Sequence, residues 1–282
     1  MAYLAVDVGG TKLAVGIVDD DGTLISRAST PTPTHDVWGA LSALVDDQIA
    51  CAQSPLVACG VGTGGPMTPN GEEVSPLNID DWRGFRLRDH LREATGLDVF
   101  IANDAHAIVL GELWCGAARG RRDVIGMVVS TGVGGGIVSN GELLTGRLGN
   151  AGHIGHVIVE PDGRRCACGA RGCLEAHASG RSIEAITGVP AAHASLDTKV
   201  LAGRQVARAL VAVGALIDLD FAVIGGSVAL GFGEPFFRAA QEELDANARL
   251  DFVRGFRVVP AGLGDAAPLV GAAAVARAAT SV

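Results

Sequence analysis

Two stretches of this chain follow one layout, and that repetition limits what it can fold into. Residues 3 to 22, YLAVDVGGTKLAVGIVDDDG, run apolar strand, glycine-rich turn, apolar strand and Asp-Gly turn. Residues 124 to 141, VIGMVVSTGVGGGIVSNG, run the same course, with Gly16-Ile17-Val18 and Gly136-Ile137-Val138 at corresponding places. Each predicts a β-hairpin. One such hairpin opening each half of the chain predicts duplicated α/β domains facing each other across a cleft, with a phosphate tail gripped from both sides. At 282 residues the chain is long enough for two domains of ordinary size.

The first turn, Gly9-Gly10-Thr11-Lys12, leads into a strand. A Walker A or Rossmann loop leads into a helix, so neither motif is present. A turn of this kind presents backbone N–H groups and the Thr11 hydroxyl to phosphate oxygens, and Asp7 beside it is suited to holding Mg²⁺ through water. A plain hairpin with a stray Asp is the alternative. Farther on, Trp38 to Gln53 has helical spacing, LVACGVGTGGP reads as a buried strand ending in a glycine turn, and 87 to 95 reads as a helix stopped by Gly96. Residues 66 to 84 are irregular, with Asn78 and Trp82 the candidates for ligand contact. VFIANDAHAIVLGELW is strand, Asn103-Asp104, then helix. Asp104 thus sits at the carboxyl end of a strand, where α/β proteins place working side chains. A helix cap is the competing role.

AGHIGHVIVEPDGRRCACGARGCLEAHASG, residues 151 to 180, holds half of the six cysteines. His156, Cys166, Cys168 and Cys173 form a His-x9-Cys-x-Cys-x4-Cys run, with Gly163, Gly169 and Gly172 supplying turns. That is the count and chemistry of a closed, structural tetrahedral zinc site, without a position open to substrate. Disulfides or ordinary buried thiols are the alternative, although Cys-x-Cys does not easily bridge to itself. Such a knot in a chain large enough to bury a core implies a functional loop held rigid, presenting His153 and Glu175.

Residues 181 to 218 read as helical with a break near Gly188-Val189-Pro190. FAVIGGSVAL then gives a buried strand and a Gly225-Gly226-Ser227 turn suited to close approach of a flat ring or its phosphates. The tail, GDAAPLVGAAAVARAA, reads as a small-residue helix able to pack tightly. The net charge of −9 argues against a nucleic-acid surface, and Arg119, Arg121 and Arg122 are adequately explained as a solvated loop. No apolar run approaches the roughly eighteen residues of a membrane span, and no basic segment followed by an apolar one opens the chain. With cysteines that show no pairing pattern, these features lead us to expect a soluble, cytoplasmic protein.

DVGGTK, AND, GVGGG, the GHIGH-containing loop and VIGGS occur in this order, and with them the chain resembles the ROK family of sugar kinases and repressors over nearly its whole length. Within it, VSTGVGGGIVSNGELLTG, AGHIGH and VIGGSV resemble the bacterial N-acetylmannosamine kinases. The resemblance implies an actin-like, ribonuclease-H-like duplicated α/β fold. The first domain would be 1–117 with a returning helix at about 268–282, and the second 118–267 with the zinc loop. It implies Asp104 as general base and Asn103 as a sugar ligand, His156 as a zinc ligand that also touches the sugar, and Glu175 on the sugar hydroxyls. Gly65, Asn78 and His153 are further candidates for sugar contact. Asp7, Gly9, Gly10, Thr11 and Lys12 from one domain, and Ser130, Thr131 and Gly132 from the other, would surround Mg-ATP, with Gly225 and Gly226 under the nucleotide. The implied reaction is phosphorylation of a hexose at O6, N-acetylmannosamine first and glucose as the alternative, by a homodimer. A family repressor would carry a DNA-binding domain before the first hairpin, which here starts at Tyr3; that reading and a non-catalytic sugar sensor are therefore less favoured.

Overall fold

Tyr3 and Ala5 point to one side of the first strand and Leu4, Val6 and Val8 to the other, and all are buried, so both faces of the sheet built on it must be covered. The computed structural model describes residues 1–280; residues 281 and 282, the end of the helix expected at 268–282, lie outside the described residues. The chain divides into two compact units, one of residues 1–119, 145–150 and from 263 on, the other of 120–144 and 151–262.

In the first unit, β1 (Ala2–Val8), β2 (Lys12–Asp19) and β3 (Leu24–Pro31) form an antiparallel meander. Helix α1 (Val37–Ala50) then crosses to β4 (Leu56–Thr63), which pairs parallel to β1. After α2 (Leu87–Thr95), β5 (Val99–Asn103) adds parallel to β4 and feeds α3 (Asp104–Cys115). The sheet order is β3-β2-β1-β4-β5. One face is packed by Val37, Leu41 and Val45 of α1 and Leu87 and Leu91 of α2. The other is packed by the C-terminal helix (Ala267–Thr280) through Leu269, Val270, Ala272, Ala273 and Ala276. The helix lies so close that a Cβ at Gly60 of β4 would overlap the Ala272 carbonyl, and Gly111 of α3 meets the backbone of Gly271. Its run of small residues is what allows this approach.

The second unit repeats the plan. β6 (Val124–Val129), β7 (Val133–Ser139) and the short β8 (Glu142–Leu143) are antiparallel. β9 (Phe221–Gly225) and β10 (Arg257–Pro260) extend the other side of β6 in parallel, giving β8-β7-β6-β9-β10. Between β8 and β9 lie the cysteine loop, α4 (Glu175–Ala178), α5 (Gly180–Thr187) and α6 (Leu196–Ile217). Gly188 at φ 76° ends α5, at the expected break. α7 (Ser227–Phe232) and α8 (Glu234–Asn247) follow β9, and α8 packs along α6 through Phe236, Ala240 and Leu244. By length and composition α6 could cross a membrane, but half of its apolar window is buried inside the unit.

Candidate active site and metal centre

In the first unit the Gly9-Lys12 turn closes with the Gly9 N–H donating to the Lys12 carbonyl at 3.0 Å. Thr32, for which the sequence carries no signal, braces it: its hydroxyl donates to the Gly9 carbonyl at 2.6 Å and its N–H to the Thr11 carbonyl at 3.1 Å. Thr11 and Lys12 are left exposed. Asn78 packs on this turn, its Cβ where a side chain on Gly10 would stand. Gly65 lies near the Asn103 amide, 4.0 Å from its Nδ2 to an added Cβ. Trp82, by contrast, is a core residue, 2% exposed and stacked on Phe85 at 4.3 Å, which removes it from the ligand candidates.

Asn103 is the N-cap of α3, its Oδ1 accepting from the Ala105 N–H at 3.1 Å. That leaves Nδ2 as its outward donor and assigns the capping position to Asn103, with Asp104 inside the first helical turn. Asp104 is exposed, and its Oδ1 accepts from the same Ala105 N–H at 2.7 Å. Its negative charge is felt by Asp7: burial first, then Asp104, push the Asp7 carboxyl up from 3.8 to about 6, against the opposing pull of Lys12. A half-buried carboxylate beside a second carboxylate is chemistry that suits a divalent cation.

The raised pKa of Asp7 has a consequence for stability. Between about pH 4 and 6 the folded chain keeps a proton that the unfolded chain releases, so this group lowers stability as pH rises through that window. In Mg²⁺-free buffer, urea denaturation at pH 4 and pH 7 should show Asp7→Asn gaining on wild type by roughly 2 kcal/mol at the higher pH. A constant difference between the two proteins would contradict the assignment.

In the second unit the loop of residues 152 to 156 is laid directly on β7. A Cβ on Gly152 would overlap the Gly135 carbonyl, and one on Gly155 the Val133 carbonyl. The glycines of GVGGG and AGHIGH are therefore two sides of one backbone contact. His156 Nδ1 lies 3.8 Å from Cys166 Sγ, Cys168 Sγ lies 3.7 Å from Cys173 Sγ, and all four donor atoms fall within 4.8 Å of one another. A tetrahedron of Zn–S bonds has edges of about 3.8 Å, so the donor set fits zinc in both kind and spacing. All six cysteines are free of disulfides. The loop turns at Gly169 (φ +95°) and Gly172 (φ +77°), where the Cys166 N–H donates to the Ala170 carbonyl at 2.8 Å. Gly163 has no left-handed φ; it is required because a Cβ there would press on His177 Nε2 and the Glu160 backbone.

His153 precedes this centre with its ring 6.1 Å from that of His156; it is exposed and is not one of the four donors. Glu175 is turned onto the second hairpin, Oε2 accepting from the Val133 N–H at 3.0 Å. The Ser130-Thr131-Gly132 turn also meets the Gly225-Gly226-Ser227 turn, Ser130 Oγ lying 2.9 Å from Ser227 Oγ. Ser227 was visible in sequence only as the residue after a glycine pair. Gly226 has φ +95° and no room for a Cβ beneath Val129.

The chain is similar to known proteins over most of its length. An N-acetylmannosamine kinase of Citrobacter koseri is 40% identical over 253 residues, covering 83% of this chain and 86% of that protein. A glucokinase of Thermotoga maritima is 34% identical over 310 residues, covering 98% of this chain and 97% of that protein. Among solved structures, a ROK family glucokinase from Streptomyces griseus in complex with glucose and AMPPNP superposes with a TM-score of 0.81 at 30% identity, over 99% of this chain and all of that one. With a family match running over residues 3–279, this chain belongs to the ROK family.

Proposed function

We infer that this chain transfers the terminal phosphoryl group of ATP to a hydroxyl of a hexose. Its relatives are sugar kinases, named for two different sugars, and one similar structure holds a sugar beside an ATP analogue. In the proposed reaction the sugar O6 attacks the γ-phosphorus in line, the bond from that phosphorus to the β,γ-bridging oxygen breaks with ADP as leaving group, and the hydroxyl proton passes to Asp104, while positioning with charge stabilisation does most of the catalysis. Gly9 to Lys12 and Ser130 to Gly132 hold the phosphates, Gly225 and Gly226 support the nucleotide, and Asp7 serves the Mg²⁺ that accompanies it. The Mg²⁺ would neutralise charge developing on the phosphates. His156, Cys166, Cys168 and Cys173 would hold zinc in a structural role, leaving the Nε2 of His156 free toward the sugar. Asn103 presents its amide N–H, and Gly65 and Asn78 complete the sugar-side candidates.

We further propose N-acetylmannosamine as the preferred sugar, and the observation that carries this is His153. An exposed imidazole that makes no hydrogen bond to a described residue is available to a ligand. It can donate from one nitrogen and accept at the other, whereas an ionised Glu only accepts. A 2-acetamido group offers a carbonyl acceptor as well as an N–H, and a neutral imidazole costs less to bury against its methyl than a carboxylate would. Support of the ligand His156 by His153 through a hydrogen bond is disfavoured by the 6.1 Å between the rings. Coupled assays on N-acetylmannosamine and glucose should show wild type favouring the first, and His153→Glu moving the ratio of kcat/KM toward glucose by about 1 to 3 kcal/mol. A wild type that prefers glucose, or an unchanged ratio in the variant, would overturn the assignment.

A further inference from the structure

Glu175 opens α4 two residues past Cys173, and the chain around it grips the second hairpin turn from behind. Its Oε2 accepts the first N–H of β7, that of Val133, at 3.0 Å. Gly132 leaves the carboxylate its place, since a Cβ there would lie 3.0 Å from the same oxygen. The segment that follows adds two backbone bonds: Gly180 N–H to the Ser130 carbonyl at 2.7 Å, and Arg181 N–H to the Thr131 carbonyl at 3.5 Å. The Ser182 hydroxyl donates back to the Glu175 carbonyl at 2.7 Å, so the gripping segment is itself tied off. Thr131 remains exposed while Val133 behind it is buried.

We propose that Glu175 is a positioning residue for the nucleotide, fixing the Ser130-Thr131-Gly132 turn and thereby joining the metal loop to phosphate binding. The inference rests on reading that turn as facing phosphate. A short turn binds an anion only if its N–H groups are already aimed, and an N–H held by a carboxylate is a charge-assisted bond strong enough to aim its neighbours. Because Cys173 lies two residues upstream, a metal held there would fix where Glu175 begins. Oε1 makes no hydrogen bond to a described residue, so a sugar hydroxyl can be accepted there at the same time.

Titration of the zinc-loaded full chain with Mg-AMPPNP separates these roles. Glu175→Ala should raise the dissociation constant about tenfold or more, the effect of losing one charge-assisted hydrogen bond, at unchanged zinc content. Glu175→Gln keeps an oxygen acceptor for Val133 and should stay within about threefold of wild type. Glu175→Asp, one methylene short, should follow the alanine variant, and it decides the matter if Glu175→Ala does not fold. Wild-type AMPPNP affinity in the Ala and Asp variants, with a raised KM for sugar alone, would make the carboxylate a sugar ligand only and overturn the proposal. Hydrogen exchange on wild type tests the underlying reading separately. AMPPNP should protect the amides of Thr131 and Gly132, since those of Ser130 and Val133 are already bonded to the Gly132 carbonyl and to Glu175, and lack of protection there would remove the turn from the nucleotide site whatever Glu175 does.

Discussion

Asp104→Asn is expected to bind sugar and Mg-AMPPNP with nearly wild-type affinity and to turn over about 10² to 10⁴ times more slowly, the usual contribution of a positioned base. The amide keeps the shape of the carboxylate and an oxygen for the Ala105 N–H, which Asp104 Oδ1 meets at 2.7 Å. What it loses is basicity toward the attacking hydroxyl. Because Asn103 holds the capping position of α3, the fold should hardly register the change at Asp104. Asn103→Ala is the matching control, with a stability loss of about 1 kcal/mol as the cap is removed. Steady-state kinetics with thermal melts read both. More than a tenth of wild-type activity remaining in Asp104→Asn would leave the residue without a base role.

Loss of the metal should have an effect of similar size by a different route. Elemental analysis of protein purified without chelator should give one zinc per chain, and chelation or Cys173→Ser should abolish most sugar phosphorylation while leaving the bulk of the secondary structure. Structural zinc contributes on the order of 10 kcal/mol of binding free energy where it organises a small domain. Here the two sheets have cores of their own, so that energy would be concentrated in the loop. Cys173 is fully buried beside Leu174, whose N–H donates to the Val157 carbonyl at 2.9 Å. Releasing Cys173 therefore loosens both the segment carrying His156 and the one carrying Glu175. Activity should return on adding zinc to chelated wild type and not to Cys173→Ser. Fully active protein without zinc would refute the metal assignment.

Much of this was legible in the sequence where physics leaves few alternatives. The hairpins announce themselves because a tight turn between buried strands needs glycine, and the convergence of His156 with Cys166, Cys168 and Cys173 because three thiols and an imidazole at short spacing have few other uses. The pairing of AGHIGH with GVGGG was not legible, since nothing in either run says that their glycines make room for each other's backbones. β3 carries little strand signal in its sequence because LISRASTP has no apolar run and no apolar-polar alternation, and only the structure shows its alternating half-buried and exposed positions. Thr32 lies far along the chain from the turn it braces, and hydroxyl-to-carbonyl bonds leave no periodic trace. Trp82 misled because an aromatic in an irregular segment resembles a ligand platform until its stacking on Phe85 is seen. For Glu175 the family resemblance points to the sugar alone, and nothing in the sequence around it points to Val133.

The helix of residues 267 to 280 covers one face of the first sheet, with Leu269, Val270 and Ala272 over Tyr3, Ala5 and Ala58. The other unit is drawn from a nearly unbroken run, residues 120 to 262 apart from 145 to 150. On the ribosome these two facts set an order. Strands β1 to β5 emerge early and wait with one apolar face bare, the second unit can close on itself as soon as β10 is made, and only afterwards does the tail arrive to cover what was made first. The nascent chain thus holds the apolar face of the first sheet bare until residues 267 to 280 follow, and that face is where a holding chaperone would be needed.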